Sequence, residues 1–166
     1  TISSTTVSTG LVVESGAIDA GTVSATGSVD GADVDNGNHL TYTGSFASSY
    51  GTFVVDQNTG DWTFTLNNGA TATQSLREGD EQVETFAVKV VDEFGASVNQ
   101  NVLVTIQGAN DAASIEGTIA ATRTESDAAS TLFASGSLQV LDVDAGEAAF
   151  RPVTAGTGSY GTFAID

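Results

Sequence analysis

The chain repeats itself at a spacing of about 110 residues, and this repeat limits the possible folds more than any single motif. The segment Tyr-Gly-Thr-Phe occurs at residues 50–53 and again at 160–163, an offset of 160 − 50 = 110. Asp-Val-Asp occurs at 33–35 and again at 142–144, an offset of 142 − 33 = 109. A Glu-Ser pair recurs at an offset of 125 − 14 = 111. Because these matches share nearly one register, we expect one structural module to occur about one and a half times.

The repeat allows two divisions of the chain. In the first, residues 1–109 form a complete β-sandwich module and 110–166 form the N-terminal half of the next. In the second, 1–56 are a half module and 57–166 are a full period in permuted order. The polar segment at 108–111 has the composition of a linker, which favours the first division. The chain begins with Thr1, so we also expect it to be part of a longer protein.

Apolar and polar residues alternate along most of the chain, which is the pattern of β-strands with one buried face. The alternation is clear over residues 62–66, 86–90 and 102–106, and Asn- and Gly-containing turns separate the segments. Residues 70–76 are the one stretch with the pattern of a short helical turn. We therefore predict an all-β fold, an antiparallel β-sandwich of about seven strands per module.

The charge balance excludes several classes of partner. The chain has four Lys and Arg against 21 Asp and Glu, which gives a formal net charge of −17. Such a chain repels nucleic-acid phosphates and anionic lipid, so we predict no nucleic-acid partner. No run of about 18 apolar residues is present, so we predict no direct membrane insertion. The chain has no Cys, so it cannot form disulfides or thiolate metal sites. Its many oxygen ligands favour Ca²⁺ as a partner.

Acidic residues gather outside the alternating segments. The Asp-x-Asp pairs at 33–35 and 142–144 are notable, because side chains at i and i+2 of an extended segment point to the same side. Two adjacent carboxylates repel unless a cation lies between them. Ca²⁺ takes about six to eight oxygens, so several segments must contribute to one site. The remaining acids, which fit calcium ligands and solvated turns equally well, include Asp80, Glu81, Asp92 and Glu93.

Several of these segments in combination resemble the VCBS repeat, a family of very large bacterial adhesins and RTX-type exoproteins. The matching segments are 142–146, both Tyr-Gly-Thr-Phe motifs, 62–66, 86–95 and 108–111. The resemblance implies immunoglobulin- or cadherin-like β-sandwich repeats in tandem, secreted or at the bacterial cell surface. More distantly, Arg77-Glu78 and Asn110-Asp111 are similar to motifs of cadherin repeats, although the Asp that precedes Arg-Glu in cadherins is absent here.

The resemblance also implies a calcium site at the junction between modules. Ligands would come from the base of the first module, from the linker and from the top of the next module. The implied set is Glu14, Glu78, Asn110, Asp111, Asp142 and Asp144, and Asp33 and Asp35 would serve a preceding module in the same way. The simpler alternative is that these acids only solvate the ends of loops.

The function implied by the resemblance is structural. Ca²⁺ would stiffen tandem modules into the stalk of an adhesin, with adjacent repeats as its partners. A half module exposes strand edges, so we also expect a strand-swapped homodimer. The alternative is a carbohydrate- or cell-surface-binding module that uses Trp62 or Tyr50, although alternation with Phe64 favours Trp62 as a core residue. A hydrolase would need two carboxylates across a cleft, which nothing here indicates, so we predict that the protein is not an enzyme.

Overall fold

The fold is taken from a computed structural model, which describes residues 2–4, 8–34, 39–118, 120–125 and 132–165. The chain divides into two compact units, unit 1 (Thr1–Asp111) and unit 2 (Ala112–Asp166). The predicted boundary between residues 109 and 110 lies beside this division. Strands dominate the described residues, and helix is confined there to one short turn, so the prediction of an all-β fold is confirmed.

Unit 1 contains two four-stranded sheets and one further strand pair among its described residues. A single helical turn, α1 (Thr71–Gln74), lies where the sequence predicts one. The strands are β1 (Ile2–Ser4), β2 (Ser8–Val13), β3 (Ser24–Ser28), β4 (Gly31–Asp33), β5 (Thr41–Thr43), β6 (Phe46–Ala47), β7 (Gly51–Val55), β8 (Asp61–Leu66), β9 (Glu81–Val91) and β10 (Ser97–Gln107). One sheet has the order β2-β10-β9-β5, the other has β3-β8-β7-β6, and β1 pairs with β4.

The hairpin of β7 and β8 shows how local sequence produces these strands. Burial alternates residue by residue along both strands, with Phe53 among the inward side chains. The turn between them is organised by Asp56, whose Oδ1 accepts the backbone N–H groups of Asn58 (2.8 Å) and Thr59 (3.0 Å). Gly60 then takes a φ of +77°, a conformation that disfavours a side chain. The Asn-Thr-Gly turn and the alternation therefore act together, as the sequence predicts.

Side chains from both four-stranded sheets meet in one core. The ring of Phe86, on β9, lies 4.6 Å from that of Phe53 and 5.5 Å from that of Phe64. Trp62 is 1% exposed and stacks on Phe53 at 5.6 Å. Its indole N–H donates to Ser8 Oγ (2.9 Å), which satisfies the one polar group of the ring. The prediction that Trp62 is a core residue is confirmed.

One strand pair departs from the predicted antiparallel arrangement, because β2 runs parallel to β10. Ser8 faces Val102 at one end of the pair and Val13 faces Gln107 at the other. Parallel neighbours need a long connection, and the intervening strands of unit 1 provide it. The two strands therefore end at the same edge of the sheet. The antiparallel strand β9 begins there too, since Glu81 faces Gln107.

Unit 2 contains two separate strand pairs among its described residues. Its strands are β11 (Ser114–Gly117), β12 (Leu138–Leu141), β13 (Val153–Gly158) and β14 (Gly161–Ile165). β11 pairs with β12 and β13 pairs with β14, both antiparallel.

These two pairs repeat pairs of unit 1 in matching register. β11–β12 corresponds to β1–β4, and β13–β14 corresponds to β6–β7. The equivalent facing residues are Ser3–Ala32 with Ser114–Leu141, and Phe46–Phe53 with Gly156–Phe163. The offsets, 109 to 111 residues, are those of the sequence motifs. The internal repeat is therefore a repeat of structure as well as of sequence.

Candidate metal site

Four of the predicted ligands come from segments that meet where β2 and β10 end. Glu14 directly follows β2, and its backbone N–H donates to Gln107 O (2.9 Å), which extends the pairing of the two strands. Asn110 and Asp111 follow β10, and Glu78 lies in the turn before β9. Because β2 is parallel to β10 and β9 is antiparallel to it, all three segments lie at one edge of the sheet.

The side chain of Glu14 is fully buried. Its Oε1 accepts the amide N–H of Gln74 (2.8 Å), and its Oε2 accepts the backbone N–H of Ala109 (3.3 Å). A buried carboxylate is costly unless donors or a cation compensate for the lost water, and these donors offset part of that cost. Gln74 ends α1, so the short helical turn helps to position the carboxylate. Sequence reasoning missed Gln74, because no spacing pattern relates it to Glu14.

Glu78 approaches the same stretch of chain from the other side of β10. Its Oε2 accepts the backbone N–H of Asn110 (3.3 Å). The Asn110 side-chain amide donates in turn to the main-chain oxygen of Asp111 (2.7 Å). Glu14 and Glu78 therefore bind the N–H groups of two consecutive residues, Ala109 and Asn110. Glu14, Glu78 and the half-buried Asp111 thus place three carboxylates around residues 109–111, together with the amide of Asn110. We call these four residues the exit cluster.

All side-chain ligands that the exit cluster offers are oxygens, which suits Ca²⁺ rather than softer metals. In the part of the chain that the structure describes, no three His, Cys, Asp or Glu side chains lie close enough together to hold a metal ion. A cation could therefore bind at the exit cluster only if its carboxylates moved closer together than they are in this structure.

The other predicted ligands lie elsewhere in the chain. Asp142 and Asp144 follow β12 in unit 2, and the Asp144 backbone N–H donates to Asp142 Oδ1 (3.1 Å). Val143 and Asp144 form a bend rather than a strand, so strand geometry does not set the relative direction of these two carboxylates. Asp144 is 2% exposed. Asp33 lies in β4 opposite Ile2, and Asp35 lies outside the described residues.

Four further acids, for which calcium and turn roles were equally compatible with the sequence, have structural contacts. Asp80 Oδ2 accepts the backbone N–H of Arg77 (3.1 Å) and its guanidinium (3.3 Å), and the backbone bond is the main cause that lowers the pKa of Asp80. Asp92 Oδ1 accepts the N–H groups of Phe94 and Ala96 in the turn from β9 to β10. The other two contacts are Glu81 Oε1 with Gln107 Nε2 (2.7 Å) and Glu93 Oε2 with the backbone N–H of His39 (2.9 Å).

Comparison with protein-family models and with curated proteins gives no match to this chain. The resemblance to the VCBS repeat therefore stays a prediction. None of the helical structure in the described residues is long and apolar enough to cross a membrane.

Proposed function

We propose that this chain is part of a calcium-stiffened array of immunoglobulin- or cadherin-like β-sandwich repeats of the VCBS type. The array would form the stalk of a large secreted or surface-attached bacterial adhesin, without enzymatic activity. The observation that carries this proposal is the exit cluster, where the fully buried Glu14 and the exposed Glu78 bind consecutive residues just before the chain leaves unit 1. The shared core of the two sheets and the repeated strand pairs support the sandwich-repeat part.

Calcium would act here by changing the stiffness of the segment at residues 109–111. Without a cation, carboxylates in this cluster repel one another and favour a looser arrangement. A bound Ca²⁺ removes that repulsion and fixes the carboxylates. Since Glu14 and Glu78 also accept the N–H groups of Ala109 and Asn110, fixing them fixes the chain as it leaves the unit. For an extracellular-type site with Kd of about 10⁻⁴ M, about 1 mM Ca²⁺ adds roughly 1.4 kcal/mol per site.

Calorimetric titration and thermal melting test this proposal. We expect Ca²⁺ to bind with Kd between about 10⁻⁴ and 10⁻³ M and Mg²⁺ to bind more weakly, because Mg²⁺ gives up its water reluctantly. At the tighter end of that range, about 1 mM Ca²⁺ should raise the Tm of unit 1 above its value in EGTA by about 6 °C. Glu14→Gln and Glu78→Gln remove one ligand charge each and should weaken binding by about tenfold.

The matched control is Asp30→Asn, which removes the same charge from an exposed position of unit 1. It should bind Ca²⁺ as the parent chain does. Absence of binding heat together with an unchanged Tm would contradict the proposal. Equal affinity in all three variants would place any calcium outside the exit cluster.

The alternative function, a carbohydrate- or cell-surface-binding module, has less support. The stacking platform that it needs would use Trp62 or Tyr50. Trp62 is buried in the core, and Tyr50 packs against that core. A glycan array tests this alternative, which requires binding that substitutions of these two rings abolish.

A further inference from the structure

The chain enters and leaves the larger core of unit 1 along two neighbouring parallel strands. It enters along β2, which begins at Ser8, and it leaves along β10, which ends at Gln107. Ser8 faces Val102 at one end of the pair, and Val13 faces Gln107 at the other end. The points of entry and exit therefore lie at opposite ends of this pair of strands.

This arrangement decides how tension along the chain acts on the pair. A pull from the entry side draws β2 towards Ser8, and a pull from the exit side draws β10 towards Gln107. Because the strands are parallel, these two movements are opposite, and they slide the strands past each other. The evenly spaced hydrogen bonds of a parallel ladder then oppose the sliding together. If both pulls acted at the same end, the ladder would instead open one bond at a time.

Of the two strands, β2 is held by fewer bonds. β10 lies between β2 and β9, and its pairing with β9 extends from Ser97 to Gln107. β2 has six residues and lies at the edge of its sheet, where the single bridge between Val13 and Thr22 adds to its pairing with β10. β1, which precedes β2, pairs with β4 over three residues only. Tension that separates β1 from β4 is therefore borne next by the pair of β2 and β10.

The ring of Trp62 blocks the movement that tension favours. Side chains on one face of a strand repeat at every second residue, so a pull towards Ser8 would bring Val12 to the place of Gly10. That place has no room for a side chain. A Cβ added to Gly10 would lie 2.9 Å from the ring of Trp62 and 3.0 Å from the Cβ of Ala25. The close approach of β2 to this ring therefore opposes sliding by a residue pair.

The Trp62 ring has little freedom to move out of the way. It stacks on Phe53 at 5.6 Å, and a Cβ added to Gly27 in β3 would lie 2.6 Å from it. Its indole N–H donates to Ser8 Oγ (2.9 Å), which holds the ring against the first residue of β2. A shift by one residue would turn Leu11 inward to the same crowded place. The register of β2 is thus held by packing as well as by hydrogen bonds.

We propose that the pair of β2 and β10 is a mechanical clamp, by which unit 1 bears tension along the chain, and that the Trp62 ring locks its register. The pair would have to break before the rest of unit 1 could extend. This inference goes beyond the calcium proposal, because neither the ladder nor the ring needs a cation.

Unfolding of the full chain at constant force, pulled in two directions, tests the clamp. The chain has no Cys, so introduced cysteines define where the handles attach. One cysteine is added before Thr1 in both cases, and the second is Ala113→Cys or Asn101→Cys, both at exposed positions. Pulling through residue 113 slides β2 along β10, whereas pulling through residue 101 loads the pair at the end where β2 begins. At equal force in EGTA, we expect unit 1 to unfold at least about tenfold more slowly through residue 113, because forced unfolding is governed by the unfolding rate.

Trp62→Phe tests the lock. This substitution removes the donor to Ser8 and the larger ring beside Gly10, but it keeps an aromatic residue in the core. It should speed unfolding through residue 113 by at least about threefold more than unfolding through residue 101, because only sliding drives β2 against the ring. The matched control is Phe64→Leu in the same strand, where the ring lies 5.5 Å from that of Phe86. It should speed unfolding to a similar degree in both directions.

Equal unfolding rates in the two directions would overturn the clamp, as would slower unfolding through residue 101. If Trp62→Phe sped unfolding equally in both directions, as the control should, the lock would be overturned. All of these measurements are made in EGTA, so their outcome does not depend on calcium. Slower unfolding through residue 113 would support the clamp even if the exit cluster bound no cation.

Discussion

The same four residues, Tyr-Gly-Thr-Phe, have opposite surroundings in the two units. In unit 1, Phe53 is fully buried and stacks between Trp62 and Phe86. In unit 2, Phe163 is more than half exposed and Tyr160 is fully exposed. Yet each segment forms a hairpin with the strand before it, in the same register. Local sequence is therefore sufficient for the hairpin, whereas burial depends on strands supplied from farther along the chain.

The largest expected difference between the units concerns these two phenylalanines. Phe53→Ala should destabilise unit 1 by about 3–5 kcal/mol, because it removes a fully buried ring and leaves a cavity. Phe163→Ala should change the free energy of unfolding by less than about 1 kcal/mol, because most of the ring is already in water. Urea unfolding followed by the fluorescence of Trp62, which lies in unit 1, measures the first effect. Far-ultraviolet circular dichroism follows both units. Similar losses for the two variants would contradict the comparison.

The next largest difference in stability is expected between substitutions of the equivalent glycines Gly51 in β7 and Gly161 in β14. Gly51→Ala should cost about 1–3 kcal/mol, since the new methyl group meets the backbone of β8 and cannot be accommodated by rotating a side chain. Gly161→Ala should be nearly neutral, because the space beside it is open. Denaturant midpoints measure both effects. A large cost at Gly161 would show that β14 already has a neighbouring strand.

The equivalent glutamates Glu14 and Glu125 should also differ, with the larger loss of stability on substitution in unit 1. Glu14→Ala should cost about 2 kcal/mol in EGTA, because it leaves the N–H of buried Ala109 without its carboxylate acceptor. The equivalent Glu125 is exposed, so Glu125→Ala should change stability by less than about 0.5 kcal/mol. Thermal melting of both variants in EGTA separates this structural role from any role in calcium binding. Equal melting temperatures for the two variants would show that burial of Glu14 contributes little to stability.

The smallest effect is the pH dependence of the turn that leads from β7 to β8. Backbone N–H bonds from Asn58 and then Thr59 lower the pKa of Asp56 below the ordinary value of 3.8. Because the pKa of Asp56 is lower in the folded state than in the unfolded state, its ionised carboxylate stabilises unit 1 at pH values above the unfolded-state pKa. This stabilisation is lost as the pH falls through the folded-state pKa. An NMR titration of the Asp56 carboxyl should therefore show a midpoint below 3.8. The Asp56→Asn variant should lack the part of the low-pH loss of stability that comes from protonation of this carboxylate. A midpoint at or above 3.8 would contradict the account of this turn.

The sequence was most informative where structure is local. Alternation predicted the inward face of β8 with Trp62, and the Asn-Thr-Gly turn predicted its hairpin with β7. It was least informative where distant segments meet. The parallel pairing of β2 with β10 depends on packing of the whole unit, and so does the contact between Gln74 and Glu14, 60 residues apart. The bend at Val143 and Asp144 also escaped prediction, because a side chain that accepts a nearby N–H competes with extended structure.

The central claim is that calcium binds the exit cluster and fixes the segment by which the chain leaves unit 1. A crystal structure of the full chain grown in millimolar Ca²⁺ tests it most directly, with anomalous scattering to identify the ion. The account predicts a cation beside residues 109–111, with oxygens of Glu14, Glu78 and Asp111 about 2.3–2.6 Å from it. Carboxylates that keep their hydrogen bonds to Gln74 and Asn110 with no ion between them, under those conditions, would contradict it.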